Sequence, residues 1–261
     1  MTDGQYIYAY FGNVGLFCLD MTGAYCGRRP LIWLNTSRMG YGGVASIHGD
    51  RLYLINDNDD QSFLVALARK LVRALASESG EGSNWSTPYV WENDLRTELV
   101  TTGTDKVRSY DLQGNLLWEL TGMSSITITT PFSRFGFLYL GSGYIGDQQR
   151  PVFAIKPGAS GDISVPGGRS LDESIAWYLP QAASYNPSPI IYRDHYYTLL
   201  DRGFFTCHNA QNPGKKLWPS THPSRCRIHS IPWAYRDHIF ALSEEEIHTL
   251  LRRVKSLKSL L

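Results

Sequence analysis

The chain has 261 residues, 43% hydrophobic and only 19% charged, with 25 Lys and Arg against 24 Asp and Glu for a formal net charge of +1. That length buries a core of its own, which excludes a disulfide-stapled miniprotein, and the hydrophobic fraction excludes a disordered chain. Balanced charge removes the electrostatic basis for a nucleic-acid or anionic-membrane partner, while 24 Gly, 16 Tyr, 10 Phe and 7 Trp suit strands and turns.

Residues 1–5 are polar and turn-like, and no basic stretch leads into an apolar one, so the sequence as it stands carries no signal-peptide pattern. No apolar run reaches the roughly 18 residues a membrane span needs. The first predicted strands are Ile7-Tyr8 and residues 16–20, followed by an irregular stretch at 27–41. Leu52-Tyr53 and residues 63–67 form the next pair. Between them Asn56-Asp57-Asn58-Asp59-Asp60-Gln61 gathers oxygen ligands. A calcium loop wants Gly at its sixth position and Glu at its twelfth. Neither register supplies them, so a solvated hairpin turn is expected. Residues 68–76 read as helix-like.

From Ser86 the pattern sharpens. Ser86-Thr87-Pro88-Tyr89-Val90, Thr129-Thr130-Pro131-Phe132, Ser188-Pro189-Ile190-Ile191-Tyr192 and Ile231-Pro232-Trp233-Ala234-Tyr235 share a start, with prolines 43, 58 and 43 residues apart. A second apolar run follows each, at Leu99-Val100, Leu138-Tyr139, Tyr196-Tyr197 and Ile239-Phe240. Third runs stand at 107–111, 152–155 and 204–208, and Gly114-Asn115-Leu116-Leu117-Trp118 closes a unit as a fourth. Short antiparallel strands in fours, repeating every 40 to 60 residues, are what a propeller blade requires. Six such units can be counted. Each is apolar on both faces and packs against its neighbours, with Trp118, Trp177 and Trp218 expected on outer strands, filling the widening gap.

Chemical motifs are sparse. Gly141-Ser142-Gly143-Tyr144-Ile145-Gly146 matches GxGxxG, but a strand at 152–155 follows it where a dinucleotide site needs a helix, so it reads as a hairpin loop. Cys207, His208, His222, Cys226 and His229 match no zinc spacing, and Cys207 and His208 point to opposite faces of a strand. Cys18 and Cys207 alternate with apolar residues and read as buried thiols. No nucleophile has a recognisable activating neighbour. At the C-terminus Ser243-Glu244-Glu245-Glu246 forms a capping box, and Ile247, Leu250, Leu251, Val254, Leu257 and Leu261 share one helical face. An amphipathic helix or non-native tail is therefore expected over 243–261, after repeats spanning 1–242.

The succession Ser/Thr-Pro-apolar, Gly-Asp-x-apolar-Tyr, Leu-Phe-Cys-Leu-Asp, Gly-x-Leu-Leu-Trp resembles the pyrroloquinoline quinone (PQQ)-like β-propeller repeat of bacterial proteins, most closely over residues 83–160. The resemblance implies an all-β propeller of four-stranded antiparallel blades. The wider family holds quinoprotein dehydrogenases and the lipoprotein that scaffolds outer-membrane β-barrel assembly. It therefore implies a periplasmic or cell-envelope location but is not specific for function; the expected role is a non-catalytic binding or scaffold module without a cofactor. The alternative is a PQQ-dependent dehydrogenase, with calcium, oxidising an alcohol or sugar. In that branch the quinone stacks on a tryptophan beside a vicinal disulfide, with Glu, Asn and Asp on calcium. This chain has no adjacent cysteines.

The first unit begins at what should be the turn after a Pro-bearing strand, so the chain reads as a fragment of a seven- or eight-bladed ring. Residues preceding each first strand should line one end of the central channel. Trp85, Ile128, Asn186 and His229 stand three positions before the prolines. Trp85 with Asn84, and Asn186 with Tyr185, offer aromatic and amide groups to a peptide, protein or carbohydrate. Plain packing of the channel is the competing role for the same residues.

Overall fold

The repeated proline marks where units begin. In a computed structural model of the chain, Pro88, Pro131, Pro189 and Pro232 each stand one residue before a strand. A proline has no amide proton to give a ladder, so it fits this leading position and no interior one. The structure describes residues 1–11, 14–29, 45–59, 62–68, 73–78, 81–165, 171–201, 203–213, 218–219, 230–244 and 248–252.

Strands β1 (Tyr6–Phe11), β2 (Gly15–Asp20) and β3 (Tyr25–Arg29) form sheet 1, and β4 (Ala45–His48), β5 (Arg51–Asn56), β6 (Phe63–Ala68) and β7 (Arg73–Glu78) form sheet 2. Sheet 3 holds β8 (Tyr89–Glu92), β9 (Thr97–Thr102), β10 (Lys106–Tyr110) and β11 (Leu116–Thr121). Sheet 4 holds β12 (Phe132–Arg134), β13 (Phe137–Gly141) and β14 (Val152–Ile155). The chain then returns to sheet 3, adding β15 (Gly161–Asp162) parallel to β11, before β16 (Ile175–Leu179) completes sheet 4. That excursion accounts for the longer spacing between Pro131 and Pro189. Sheet 5 holds β17 (Ile190–Tyr192), β18 (His195–Leu199), β19 (Phe205–Asn209) and β20 (Trp218–Pro219). Sheet 6 holds β21 (Trp233–Tyr235), β22 (His238–Leu242) and β23 (His248–Arg252). The fold is all-β, with no helix among the described residues.

Period-two alternation sends side chains to both faces of each sheet. On β5, Leu52 and Leu54 pack with Tyr8 and Leu16 of sheet 1, while Tyr53 and Ile55 pack with Leu99 and Tyr110 of sheet 3. On β13, Leu138 and Leu140 meet Val100 and Trp118, while Tyr139 meets Tyr196 of sheet 5. On β18, Tyr197 and Leu199 meet Ile239 and Ala241 of sheet 6. Five apolar layers thus join six sheets in sequence. Trp177 on the edge strand β16 and Trp118 on β11, one strand in from the edge, lie inside these layers near the outer strands, as the repeat predicts.

One layer contains a charge. Glu98 on β9 is fully buried, and four donors satisfy it. Its Oε2 accepts the Trp118 indole N–H at 2.7 Å and the Ser109 hydroxyl at 2.6 Å. Its Oε1 accepts Arg96 Nε–H at 3.0 Å and Asn93 Nδ2–H at 3.1 Å. At the opposite edge of the sheets, first strands and the residues flanking them are tied to one another. Ser46 donates to the Pro88 carbonyl, Tyr89 and Ser133 share a 2.9 Å hydroxyl bond, and the Asp237 amide donates to the Tyr192 hydroxyl at 3.2 Å.

Several expectations need correction. Residues 73–78 are a strand, because the edge of β6 offers a full ladder and a short isolated helix pays a nucleation cost. The same logic governs the C-terminus, where His248–Arg252 pairs with β22, Phe240 opposite Leu250, instead of forming a helix. The rest of the expected helix, at 245–247 and 253–261, lies outside the described residues. Asn56, Asp57 and Asn58 do turn the chain from β5 to β6, but they are buried, not solvated, and Tyr10 donates to Asn56 Oδ1 at 3.0 Å. Sheet 1 has three strands, and a single Thr2–Ile7 bridge stands in the place of its first strand.

Glu98→Ala should cost about 3–5 kcal/mol in urea unfolding, since it strands Arg96 and the Trp118 indole. Trp118→Ala should cost a similar amount through cavity formation, while Trp233→Ser, at a 44% exposed position, should cost about 1 kcal/mol or less.

Burial pushes the Tyr139 hydroxyl up to about 12, the Cys207 thiol up to about 11, and Tyr196 still further up. The native state keeps protons that the unfolded chain releases. Stability should therefore be full below about pH 9 and fall as pH rises, steeply above about pH 10 where unfolded tyrosine titrates. Melting temperatures from pH 7 to 11 check this, and Tyr139→Phe should flatten the alkaline slope.

Candidate functional site

In an antiparallel meander the loop before a first strand and the loop after the second lie at the same end of the sheet. At that end carboxylates gather the chain. Asp59 accepts the Ser83 amide at 3.0 Å and its hydroxyl at 2.9 Å, and Asp147 accepts the same pair from Ser125. Asp201 Oδ1 accepts the Asn186 amide at 3.0 Å and its Nδ2–H at 2.8 Å, and Oδ2 accepts the Tyr185 amide at 3.1 Å.

These loops enclose a cavity of about 300 Å³ between sheets 4 and 5. Gly143, Ile145 and Arg150 form one wall, from the loop joining β13 to β14; Ala183, Leu200, Asp201 and Phe204 form the other. Gly143 of the GxGxxG run runs hard against residue 184, and a Cβ there would collide with the Ser184 carbonyl. The glycine therefore serves close backbone approach, and the run links two strands with no helix after it. Beside it the Tyr144 and Tyr185 rings meet at 5.1 Å. Ile145 is 62% exposed and Phe204 41% exposed. Both are bulky apolar side chains standing in solvent at the rim of the cavity.

A second cavity, about 270 Å³, opens at the other end, lined by His48, Asp50, Arg51, Tyr53 and Leu112 among others. Its basic side chains are engaged: Arg51 donates to the Leu112 carbonyl at 3.0 Å, and His48 Nδ1 lies 3.1 Å from Glu92 Oε1. No tryptophan lines either cavity. Among the described residues no group of three His, Cys, Asp or Glu could hold a metal ion.

Tyr185 and Asn186 lie in the loop before sheet 5, bonded to Asp201 of the cavity wall without lining the cavity themselves. Asn84 and Trp85 occupy the equivalent loop before sheet 3. The Asn84 amide is spent internally, accepting the Thr127 amide at 2.9 Å and donating to Gly82 O at 3.1 Å and Thr104 Oγ1 at 3.0 Å. His229 lies outside the described residues. Sequence reasoning missed Ile145, Arg150, Asp201 and Phe204; the available signal was two bulky apolar residues placed in loops.

No protein-family model matches the chain, and no curated sequence matches it. The fold does match solved structures. BamB from Moraxella catarrhalis superposes with a TM-score of 0.65 at 12% identity, over 96% of this chain and 70% of that one. The computationally designed Ika8 protein gives 0.62 at 10% identity, over 97% and 69%. A europium-containing methanol dehydrogenase gives 0.56 at 11% identity, over 83% and 49%. At these identities the likeness carries the fold alone. The chain has a PQQ-like β-propeller fold.

Asp201→Ala should cost about 1–2 kcal/mol, because two amides and a side-chain donor lose their acceptor. Hydrogen exchange should quicken at Tyr185 and Asn186 and stay unchanged in sheets 1 and 2.

Proposed function

We propose that the chain is a non-catalytic binding or scaffold module of the bacterial cell envelope, and that it docks protein or peptide partners at the loop end between sheets 4 and 5. The observation that carries this is the pair of exposed apolar side chains, Ile145 and Phe204, flanking a cavity whose backbone is held by Asp201 and the close Gly143–Ser184 approach. Such a preorganised, partly apolar cleft suits recognition better than chemistry, which would need a nucleophile or a positioned acid–base pair. The envelope location rests on the resemblance of the repeat and on the BamB-like fold.

The end faces support a larger ring. Sheet 6 presents Trp233, stacked on Phe240 at 5.4 Å, and sheet 1 presents Phe11 against Phe17 at 5.7 Å, on the faces opposite their buried layers. Interior sheets bury the equivalent faces. Sheets 1 and 6 thus each present an apolar face that a further sheet of the same repeat would cover.

The second reading, a PQQ-dependent dehydrogenase, draws on the methanol dehydrogenase likeness. The residues fit the quinone poorly: Trp91, Trp118 and Trp177 spend their rings between sheets, Trp85 in the loop before sheet 3 lines neither cavity, and Cys18, Cys26 and Cys207 are free thiols. Incubation with PQQ and calcium, followed by absorbance and native mass spectrometry, separates the two. No stoichiometric uptake is expected, and calcium-dependent uptake of one quinone per chain would overturn the scaffold reading.

A further inference from the structure

Within the cavity between sheets 4 and 5 the two charged residues are not equivalent. Asp201 has its carboxylate filled by three N–H donors. Arg150 on the facing wall reaches only a neutral acceptor through Nε and one terminal nitrogen, the Gln181 Oε1, at 3.4 and 3.2 Å. No carboxylate lies within ion-pair distance of it among the described residues, and unlike Arg28 and Lys156, which donate to backbone carbonyls, it stands at a cavity. An incoming group therefore finds open guanidinium donors on one side, and on the other a carboxylate most of whose acceptor sites are already taken by Tyr185 and Asn186. That asymmetry favours an anion, and a guanidinium favours a carboxylate it can grip with two parallel bonds. Around Arg150 the lining is apolar, with Ile145, Leu200 and Phe204. About 300 Å³ is at the small end of ligand pockets, enough for one large side chain and its neighbours.

We propose that this cavity binds an acidic peptide, seating a large apolar side chain between Ile145 and Phe204 and an adjoining carboxylate on Arg150. The proposal rests on the docking role assigned to the same site above and adds the class of ligand. Charge complementarity selects the occupant: a basic segment would face Arg150, and a neutral one would leave the guanidinium unmatched.

The test is fluorescence anisotropy with labelled Asp-Phe-Asp-Leu-Asp-Gly and its counterpart with Asn in place of each Asp, both capped at their termini. The acidic peptide should bind about tenfold more tightly, and less so as salt is raised. Arg150→Gln should abolish that preference, Arg150→Lys should retain part of it, and Phe204→Ser should weaken both peptides by about tenfold. All three variants should melt close to the parent, since the altered side chains are at the surface of the cleft. Equal binding of the two peptides, unchanged by Arg150→Gln but weakened by Phe204→Ser, overturns the acidic ligand and leaves the docking site standing. Absence of binding by either peptide, with Phe204→Ser without effect, removes both.

Discussion

A sheet that is apolar on both faces has to be covered on both faces, and everything else in this chain follows from that demand. Alternation along β5, β9, β13 and β18 sends adjacent residues into different layers, so Tyr139 and Leu138 belong to two separate cores. Stability is consequently distributed over sheet-to-sheet layers instead of being gathered in one centre. Glu98 shows how strict the arrangement is. A carboxylate is accepted deep in one layer only because Arg96, Asn93, Ser109 and Trp118 all reach it.

The covered faces leave the loop ends as the surface on which recognition can be built. There the chain is held by backbone donors collected on Asp59, Asp147 and Asp201, and by the tight passage of Gly143 past Ser184. A rigid frame under short loops lets Ile145 and Phe204 stand in solvent without the loops collapsing on them.

The architecture was legible in the sequence because it rests on local signals. Proline before a strand, two-residue periodicity and a closing tryptophan each carry their own physics, and the six second strands all fall where those signals put them. Residues 73–78 and 248–252 misled because their composition favours a helix, while the open edges of β6 and β22 decide the outcome from outside the segment. The site was legible only in part. Tyr185 and Asn186 were reachable from their position before a proline. The cavity itself joins residues 143–150 to 200–204, a pairing set by sheet packing and invisible to any local window. Asn84 has the chemistry of a ligand group, yet three bonds within the protein consume it. Neither spacing nor residue type announces that.

Layering has one more consequence. Because each apolar layer among the described residues joins one sheet to the next, and because every interior face solves the same packing problem, a copied unit spliced between two existing ones finds suitable surfaces on both sides. The architecture can lengthen or shorten by gene duplication without redesigning a centre. The uneven spacing of the prolines, with the β15 excursion tucked into one unit, is the kind of record such growth leaves behind.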